Sequence, residues 1–426
     1  MRKKILITFL LGYGLVIAFL YYYLFKWNTG SIPQEAVGTV VDPSTFMSKE
    51  ELALSEQYSN IRNLLFFITI PYEWLFYLII LLLGIGKTFE KWAEKTARKW
   101  LFQSAIFTFC LSVLSYIFFL PLRYISFHLS RQYGLSNENF HSWMRDGLID
   151  FWLDWLFLFV IVTVLYWLMR KKEKRWWLYA WYLSIPFSIF IMFIQPVIID
   201  PLYNDFYPLK NKELEEKILS LADQAHIPAE HVYEVNMSEK TNTLNAYVTG
   251  VGSNSRIVLW DTTLNQLEED EILFIMAHEM AHYVEKHIYI GMIGYLLLTL
   301  VGLFLIDKIL SILVKKYQEA FRITGKSNIS SLPLILLILS VLSFASSPLS
   351  NVVSRYQEER ADRYAIEMTK DVDAGISTFQ ELSRAGLSQV NPPLLVKWFR
   401  YGHPTLMERI EMIQSYETKF DKNKKE

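Results

Sequence analysis

Long apolar stretches dominate the pattern of hydrophobic and polar positions along this chain of 426 residues. Crossing the roughly 30 Å hydrocarbon core of a lipid bilayer takes about 20 helical residues. Seven stretches are long enough, at about Ile5–Phe25, Leu64–Gly86, Leu101–Leu122, Phe151–Met169, Trp176–Ile199, Ile288–Ile306 and Leu332–Leu349. The pattern therefore predicts an α-helical multi-pass membrane protein with about seven transmembrane helices.

Two polar segments separate or follow these stretches and are expected to fold outside the bilayer. The chain divides into residues 1–199 with five membrane helices, a polar segment at 200–287, residues 288–350 with two more membrane helices, and a polar segment at 351–426. Each polar segment is short for a domain that folds independently. We expect the two to fold together as one small α/β unit against the helical bundle.

Periodicity within the polar segments predicts their local structure. The predicted elements are a helix at Lys212–Ala225, strands at His231–Val235 and Thr243–Thr249, a turn at Gly250–Asn254, and a strand at Arg256–Trp260. A further helix is predicted to begin near Asn265, since Asn265 and Glu268 have the spacing of a capping box, and to continue past His282. The second polar segment is predicted to be helical from Asn351 to Met368.

Composition supports the membrane assignment and excludes some partners. The chain is 52% hydrophobic and its mean hydropathy is +0.20, above the values expected of a soluble protein of this length. A formal net charge of −1 gives no electrostatic case for a nucleic-acid partner. The single cysteine, Cys110, lies in an apolar stretch, which excludes disulfides and thiolate metal sites.

The string His278-Glu279-Met280-Ala281-His282 carries the most specific chemistry in the sequence. Residues four apart lie on the same face of a helix, so the two histidines can bind one Zn²⁺. Glu279 lies beside them, where its carboxylate can take a proton from the attacking water. The string predicts a zinc hydrolase with Glu279 as general base and with His278 and His282 as two of three protein ligands.

The third ligand must come from elsewhere in the chain. The metzincin pattern would need Gly at position 285 and His at position 288, where this chain has Glu285 and Ile288. His287 follows His282 by five residues, so in a continuous helix it is expected to lie off the ligand face, at the membrane interface. A segment after the seventh span, around Glu358, is the better source.

Glu358 and Asp362 are four residues apart, so one helix face presents both carboxylates. Glu358 can bind the metal while Asp362 accepts the free N–H of a ligand histidine. His282 precedes the sixth span by about six residues and Glu358 follows the seventh by about nine, which places both roughly 10–15 Å from the same membrane surface. We expect a helical hairpin through the bilayer to bring His278, His282 and Glu358 together near the lipid boundary.

With these motifs the chain resembles the integral-membrane zinc endopeptidases that include the type I CAAX prenyl proteases and, more distantly, the HtpX-type membrane proteases. The resemblance also covers Asn245–Gly250, Arg256–Leu259 and His403–Ile410. It implies that Glu358 is the third zinc ligand and that the membrane helices wall a large chamber around the site.

The resemblance implies further roles outside the metal ligands. His403 is expected to donate a hydrogen bond to the oxyanion of the transition state, although a helix start is the structural alternative for this His-Pro pair. Asn245 and Ala246 are expected to pair with the substrate backbone, and Arg409 to contribute to substrate binding. The chain departs from the usual Asp-x-Ser-x-Arg pattern at Asn236–Lys240. The way in which substrate approaches the site is therefore expected to differ from that in the rest of the family.

The sequence thus predicts a membrane-embedded endopeptidase with one Zn²⁺ per chain, acting on membrane-associated proteins or peptides. A quality-control protease for membrane proteins is an alternative within the same class. A catalytically dead scaffold or transporter is an alternative from another class, but such a protein would be expected to have lost Glu279 or a ligand. An intramembrane protease would carry the histidine string inside a span, which the acidic run Glu268–Glu271 directly before it opposes.

Charge bias predicts the orientation of the chain in the bilayer. With the N-terminus inside, the cytoplasmic ends and loops hold 18 Lys and Arg residues, whereas the short loops on the other side hold six. Positive residues favour the cytoplasmic side. Both polar segments, and with them the active site, are therefore expected on the extracytoplasmic face, which for a bacterial source means the outer face of the cell membrane. The eukaryotic relatives are thought to face the cytosol, so the two arguments oppose each other.

Overall fold

Long apolar helices make up most of the computed structural model, which describes residues 1–27, 30–249 and 256–423. Among these residues, seven helices are long and apolar enough to cross a membrane. These helices are α1 (Arg2–Phe25), α2 (Lys49–Leu83), α4 (Trp100–Gln132), α5 (Phe140–Lys171), α6 (Trp176–Ile194), α10 (His287–Phe321) and α11 (Leu332–Thr369). A shorter helix, α3 (Ile85–Thr96), follows α2. The predicted α-helical multi-pass class is confirmed.

A small four-stranded sheet lies between the fifth and sixth membrane helices in the chain. Its strands are β1 (Phe206–Pro208), β2 (Val232–Val235), β3 (Ala246–Thr249) and β4 (Arg256–Trp260), in the spatial order β1-β2-β4-β3. β2 and β4 are parallel, while β1 and β3 pair antiparallel with their neighbours. β3 is therefore an edge strand, with one side hydrogen-bonded to β4 and no other strand of the described residues on its second side.

The sheet packs against two helices of the same polar segment. They are α7 (Lys212–Gln224) and α9 (Glu269–Val284), and α8 (Asp261–Gln266) is a short helix between β4 and α9. Buried Ile257 and Leu259 of β4 form one core with Ile218 of α7 and with Met276 and Met280 of α9. This core fixes the orientation of α9 against the sheet.

The predicted elements of this segment agree with the structure to within one residue, except at two places. β3 begins at Ala246 rather than at position 243, and the predicted capping box between Asn265 and Glu268 is wrong. Leu267 is extended and ends α8, so α9 has its own N-cap at Glu268, whose backbone N–H donates to Glu271 over 2.8 Å. The turn predicted at Gly250–Asn254 lies outside the described residues.

The second polar segment joins the first through α11. This helix runs without interruption from the seventh membrane span past Glu358, and α9 packs along it. Buried Phe274 and Ala277 of α9 form a core with Ala365 of α11 and Ile410 of α14 (Leu406–Asn423), and small side chains let the helix axes approach closely. Two further helices, α12 (Val372–Gly386) and α13 (Leu394–Arg400), lie between α11 and α14.

Candidate metal centre

Two histidines of α9 project from one face of the helix. His278 and His282 are one turn apart, and their Nε2 atoms lie 3.3 Å from each other. The side chain of His278 is 8% exposed and that of His282 is 23% exposed. The predicted helix therefore presents both imidazoles to the same point, with His282 held less tightly by packing than His278.

Glu358 of α11 completes a cluster of three potential ligands. Its Oε2 lies 3.2 Å from His278 Nε2, and its Oε1 lies 3.5 Å from His282 Nε2. A tetrahedral zinc with bonds of 2.0–2.2 Å holds its ligand atoms about 3.3 Å apart. Glu358 Oε2 is also buried without a hydrogen bond of good geometry, as an oxygen reserved for a cation would be. The donor set and its spacing fit zinc.

The surroundings of the two histidines shift their pKa values in opposite directions. Burial alone would lower the pKa of His278, but its contacts with Asp362 and Glu358 raise it well above its usual value. Burial and the neighbouring His278 lower the pKa of His282 to about 4, so this imidazole is neutral as a metal ligand must be. A divalent cation is stabilised by the same carboxylates that favour the proton on His278.

Glu279 lies between the two histidines in sequence and is half-buried. Burial raises the pKa of its carboxyl group, because a carboxylate loses solvation in a low dielectric. A raised pKa suits a group that must take up a proton and release it again near neutral pH. The placement agrees with the role of general base predicted from the sequence.

Asp362 and Arg409 lie on the Nδ1 side of the His278 ring, away from the metal cluster. His278 Nδ1 lies 2.8 Å from Asp362 Oδ1, the arrangement predicted for a carboxylate that accepts the free N–H of a ligand. Arg409 donates to both oxygens of Asp362 at 2.8 and 2.6 Å, and its guanidinium lies 4.1 Å from the centre of the Phe379 ring. Since Arg409 is buried and directed at Asp362, this geometry lends no support to direct substrate contact, and that predicted role stays a prediction.

His403 reaches the site from the loop before α14. Its side chain is 60% exposed, and its Nδ1 lies 2.8 Å from Glu358 Oε2. The start of α14 is capped by a different pair, since Glu408 N–H donates to Thr405 Oγ1 and Thr405 N–H donates to Glu408 Oε2. The imidazole of His403 is therefore not needed as a helix cap and faces the cluster, which favours the catalytic interpretation.

Comparisons with known proteins find matches for both halves of the chain. Residues 29–205 match a model described as CAAX prenyl protease N-terminal, five membrane helices, and residues 208–417 match the model of Peptidase family M48. The chain is 53% identical to the "Uncharacterized metalloprotease YhfN" of Bacillus subtilis over 96% of both proteins. The chain belongs to peptidase family M48.

More distant relatives resemble this M48 chain in sequence, and a solved structure resembles it in fold. CAAX prenyl protease 1 of Saccharomyces cerevisiae is 28% identical over 72% of this chain and 71% of its own length. The crystal structure of S. mikatae Ste24p aligns with a TM-score of 0.79 and 25% identity, covering 97% of this chain and 98% of that one. The protein is therefore a membrane-embedded metallopeptidase, and the resemblance predicted from the motifs is confirmed.

The edge strand of this M48 chain lies where the sequence predicts substrate pairing. Ala246 pairs with Leu259 of β4 and is buried, and β3 packs against α9. The backbone of Asn245 donates to Thr263 Oγ1 at 2.9 Å and accepts from Trp260 N–H at 3.1 Å. Both residues are thus fixed by backbone hydrogen bonds, and no other strand of the described residues pairs with the second side of β3.

The segment that departs from the family pattern ties the sheet to the membrane helices. Lys240 forms an ion pair with Asp146 of α5 at 2.5 Å and donates to the carbonyl of Tyr203 at 2.8 Å. Its own carbonyl accepts from Ser136 Oγ at 2.8 Å. These contacts anchor the chain directly before β3, so the departure from the usual residues changes an anchoring segment rather than the metal cluster.

Sequence reasoning missed one residue at the site, His287. It was expected off the ligand face, and it is not part of the cluster of three ligands, but its contact with His282 was not foreseen: the two Nδ1 atoms are 3.0 Å apart. α9 ends at Val284, and Lys286 has a positive φ of 59°, which turns the chain so that α10 begins at His287 in a new direction. A lysine in the left-handed region carries no sequence signal, so periodicity could not have found this contact.

Proposed function

We propose that this M48 peptidase holds one zinc ion through His278, His282 and Glu358 and cleaves peptide bonds within membrane-associated proteins or peptides. The observation that carries the proposal is the approach of the three ligand residues: the two histidine Nε2 atoms lie 3.3 Å apart, and each lies 3.2 or 3.5 Å from one of the two oxygens of Glu358, close to the edges of a tetrahedral zinc site. Glu279, which a catalytically dead scaffold or transporter would be expected to have lost, is also present.

Each remaining side chain has a separate task in this mechanism. Zinc, when bound, supplies a Lewis acid that activates water and polarises the substrate carbonyl. Glu279 takes a proton from the attacking water and passes it to the nitrogen of the leaving amine. His403 donates a hydrogen bond to the oxyanion that forms on the substrate carbonyl. Asp362, held by Arg409, keeps the His278 ring oriented with its Nε2 toward the cluster.

The substrate class follows from two features of the chain. The free side of β3, beginning after Asn245, can pair with an extended backbone and so accept varied side chains. The cluster also lies close to the bilayer, because Glu358 belongs to the helix of the seventh span and His287 begins the helix of the sixth. A substrate segment tethered to or leaving the lipid bilayer is therefore favoured, including a lipid-modified peptide of the kind implied by the name CAAX prenyl protease 1 of the relatives.

A general quality-control protease for membrane proteins is the second candidate of the same class. The observation that favours it is the same free edge of β3, because backbone pairing places few demands on substrate sequence. We retain the division into residues 1–199, 200–287, 288–350 and 351–426, with the two polar parts forming one peptidase domain. The packing of α9 against α11 supports this division.

Comparison of peptide termini in native membranes tests the proposed function. Membranes with the wild-type protein should contain new termini from membrane-associated proteins, and membranes with Glu279→Gln should lack them, as read by mass spectrometry. Glu359→Gln is a matched control, since Glu359 is an exposed carboxylate next to Glu358 and pairs with Arg363. Identical sets of termini in the wild type and Glu279→Gln would contradict the proposal.

A further inference from the structure

The end of α9 places a second histidine behind His282. Lys286 adopts the left-handed conformation, with φ at 59°, and the chain turns between α9 and α10. A residue five positions on would lie about 140° around a continuous helix, on another face. The turn instead returns His287 to its neighbour, with Nδ1 of His287 3.0 Å from Nδ1 of His282 and the His287 residue 5% exposed.

The protons of this contact can be assigned from the metal cluster. His282 directs its Nε2 toward the ligand atoms of His278 and Glu358, so Nε2 must be free of hydrogen to bind a metal. The proton of the neutral His282 ring is then on Nδ1, which makes that atom a donor. His287 Nδ1 must therefore accept, and its own proton is on Nε2.

The other side of the His287 ring agrees with this assignment. His287 Nε2 lies 3.2 Å from Oε2 of Glu285, a carboxylate that can only accept when ionised. Glu285 is held in turn by the guanidinium of Arg360, which contacts both carboxylate oxygens. A series of side-chain contacts thus links Arg360 of α11 to Glu285, Glu285 to His287, and His287 to His282. In this series each donor is paired with an acceptor.

The two histidines of the cluster are thereby supported in parallel ways. His278 is backed directly by Asp362, which is paired with Arg409, and its side chain is 8% exposed. His282 has no carboxylate within reach of its Nδ1 among the described residues, and its side chain is 23% exposed. Packing restrains the His282 ring less, so a hydrogen bond at Nδ1 contributes more to its orientation.

We propose that His287 is a positioning residue of the metal centre: it accepts the Nδ1–H of His282 and so fixes the ring and the tautomer that present Nε2 to the metal. This inference rests on the proposed function, because it requires that His282 binds the metal. It assigns to Glu285 and Arg360 the role of orienting His287 in turn. Residues in such supporting positions typically change metal affinity by about 10–100-fold when replaced.

Zinc affinity of the full-length protein, measured by competition with a chelator at fixed pH, tests the proposal. His287→Leu removes the acceptor but retains an apolar side chain of similar bulk, and we expect zinc binding to weaken by about 10–100-fold. His287→Asn offers an amide oxygen close to the place of Nδ1, and we expect it to restore most of the affinity. His231→Leu, at an exposed histidine of the same domain, should bind zinc like the wild type.

Further variants separate this inference from the proposed function. Glu285→Ala leaves His287 Nε2–H without its acceptor and should weaken zinc binding in the same direction, by less than His287→Leu. If His287→Leu does not fold, the zinc affinity of Glu285→Ala still tests the proposal. His282→Ala should abolish high-affinity zinc binding, and wild-type affinity in that variant would overturn the proposed ligand set itself. If His282→Ala loses zinc while His287→Leu binds it like the wild type, the role of His287 is overturned and the ligand set stands. Equal losses in His287→Leu and His287→Asn would also overturn it, since the acceptor would then not matter.

Discussion

Replacement of Arg409 by alanine should destabilise the protein far more than loss of a surface ion pair does. Arg409 donates to both oxygens of Asp362 at 2.8 and 2.6 Å, and Asp362 is fully buried. Without the guanidinium, His278 Nδ1, at 2.8 Å, would be the one remaining partner of the carboxylate among the described residues. Removing one member of a buried pair leaves an uncompensated charge and costs about 3–5 kcal/mol.

The chain provides a matched control for this prediction. Arg363 pairs with Glu359 on the same helix as Asp362, at 2.6 Å, but the two side chains are 46% and 48% exposed. Arg363→Ala should therefore cost less than about 1 kcal/mol. Denaturant unfolding of the purified variants in one detergent, followed by intrinsic fluorescence, would measure both changes. Equal losses in Arg409→Ala and Arg363→Ala would refute the reasoning, because they would show that burial of Asp362 contributes nothing.

Three further predictions test other parts of the structure. His403→Ala should lower kcat by about 10²–10³ with little change in KM, since an oxyanion donor acts mainly in the transition state, and an unchanged kcat would make His403 structural. Gly375→Val should lower the midpoint of thermal unfolding, because even a Cβ at Gly375 would lie 2.9 Å from the Phe274 ring, at a cost of about 1–3 kcal/mol. Gly294→Ala, with no heavy atom near its added Cβ, is the control, and equal midpoints in the two variants would disprove close packing at that point. At the C-terminus, after Glu426, a reporter that works only after export should be active, and a reporter that works only in the cytoplasm should be silent. The opposite result would contradict the predicted extracytoplasmic orientation.

Elements under a strong physical constraint were predictable from the sequence. A bilayer requires about 20 apolar residues for each crossing, so the seven spans stand out in the hydropathy pattern. The spacing of His278 and His282 places both on one helix face in any helix. The position of Glu358 relative to the seventh span then made its approach to that face predictable, and the structure brings the three residues together.

Contacts that depend on irregular backbone or on distant segments were not predictable in this way. The capping of α9 by Glu268 depends on the break at Leu267, and the contact of His287 with His282 depends on the left-handed Lys286. The segment after the first span is another case. Val41 is buried in the core beneath α12, and the carbonyl of Val40 accepts from Gln380 at 2.8 Å. No local sequence pattern predicts a contact between two residues that are 340 positions apart in the chain.

Metal analysis of purified variants tests the central claim most directly. His278→Ala, His282→Ala and Glu358→Ala should each lower the zinc content well below one ion per chain, because each removes one of three ligands. Glu279→Gln should keep its zinc and lose turnover, because it removes the base and leaves the ligands in place. Full zinc occupancy in Glu358→Ala would contradict the account, since the third ligand would then have to lie elsewhere.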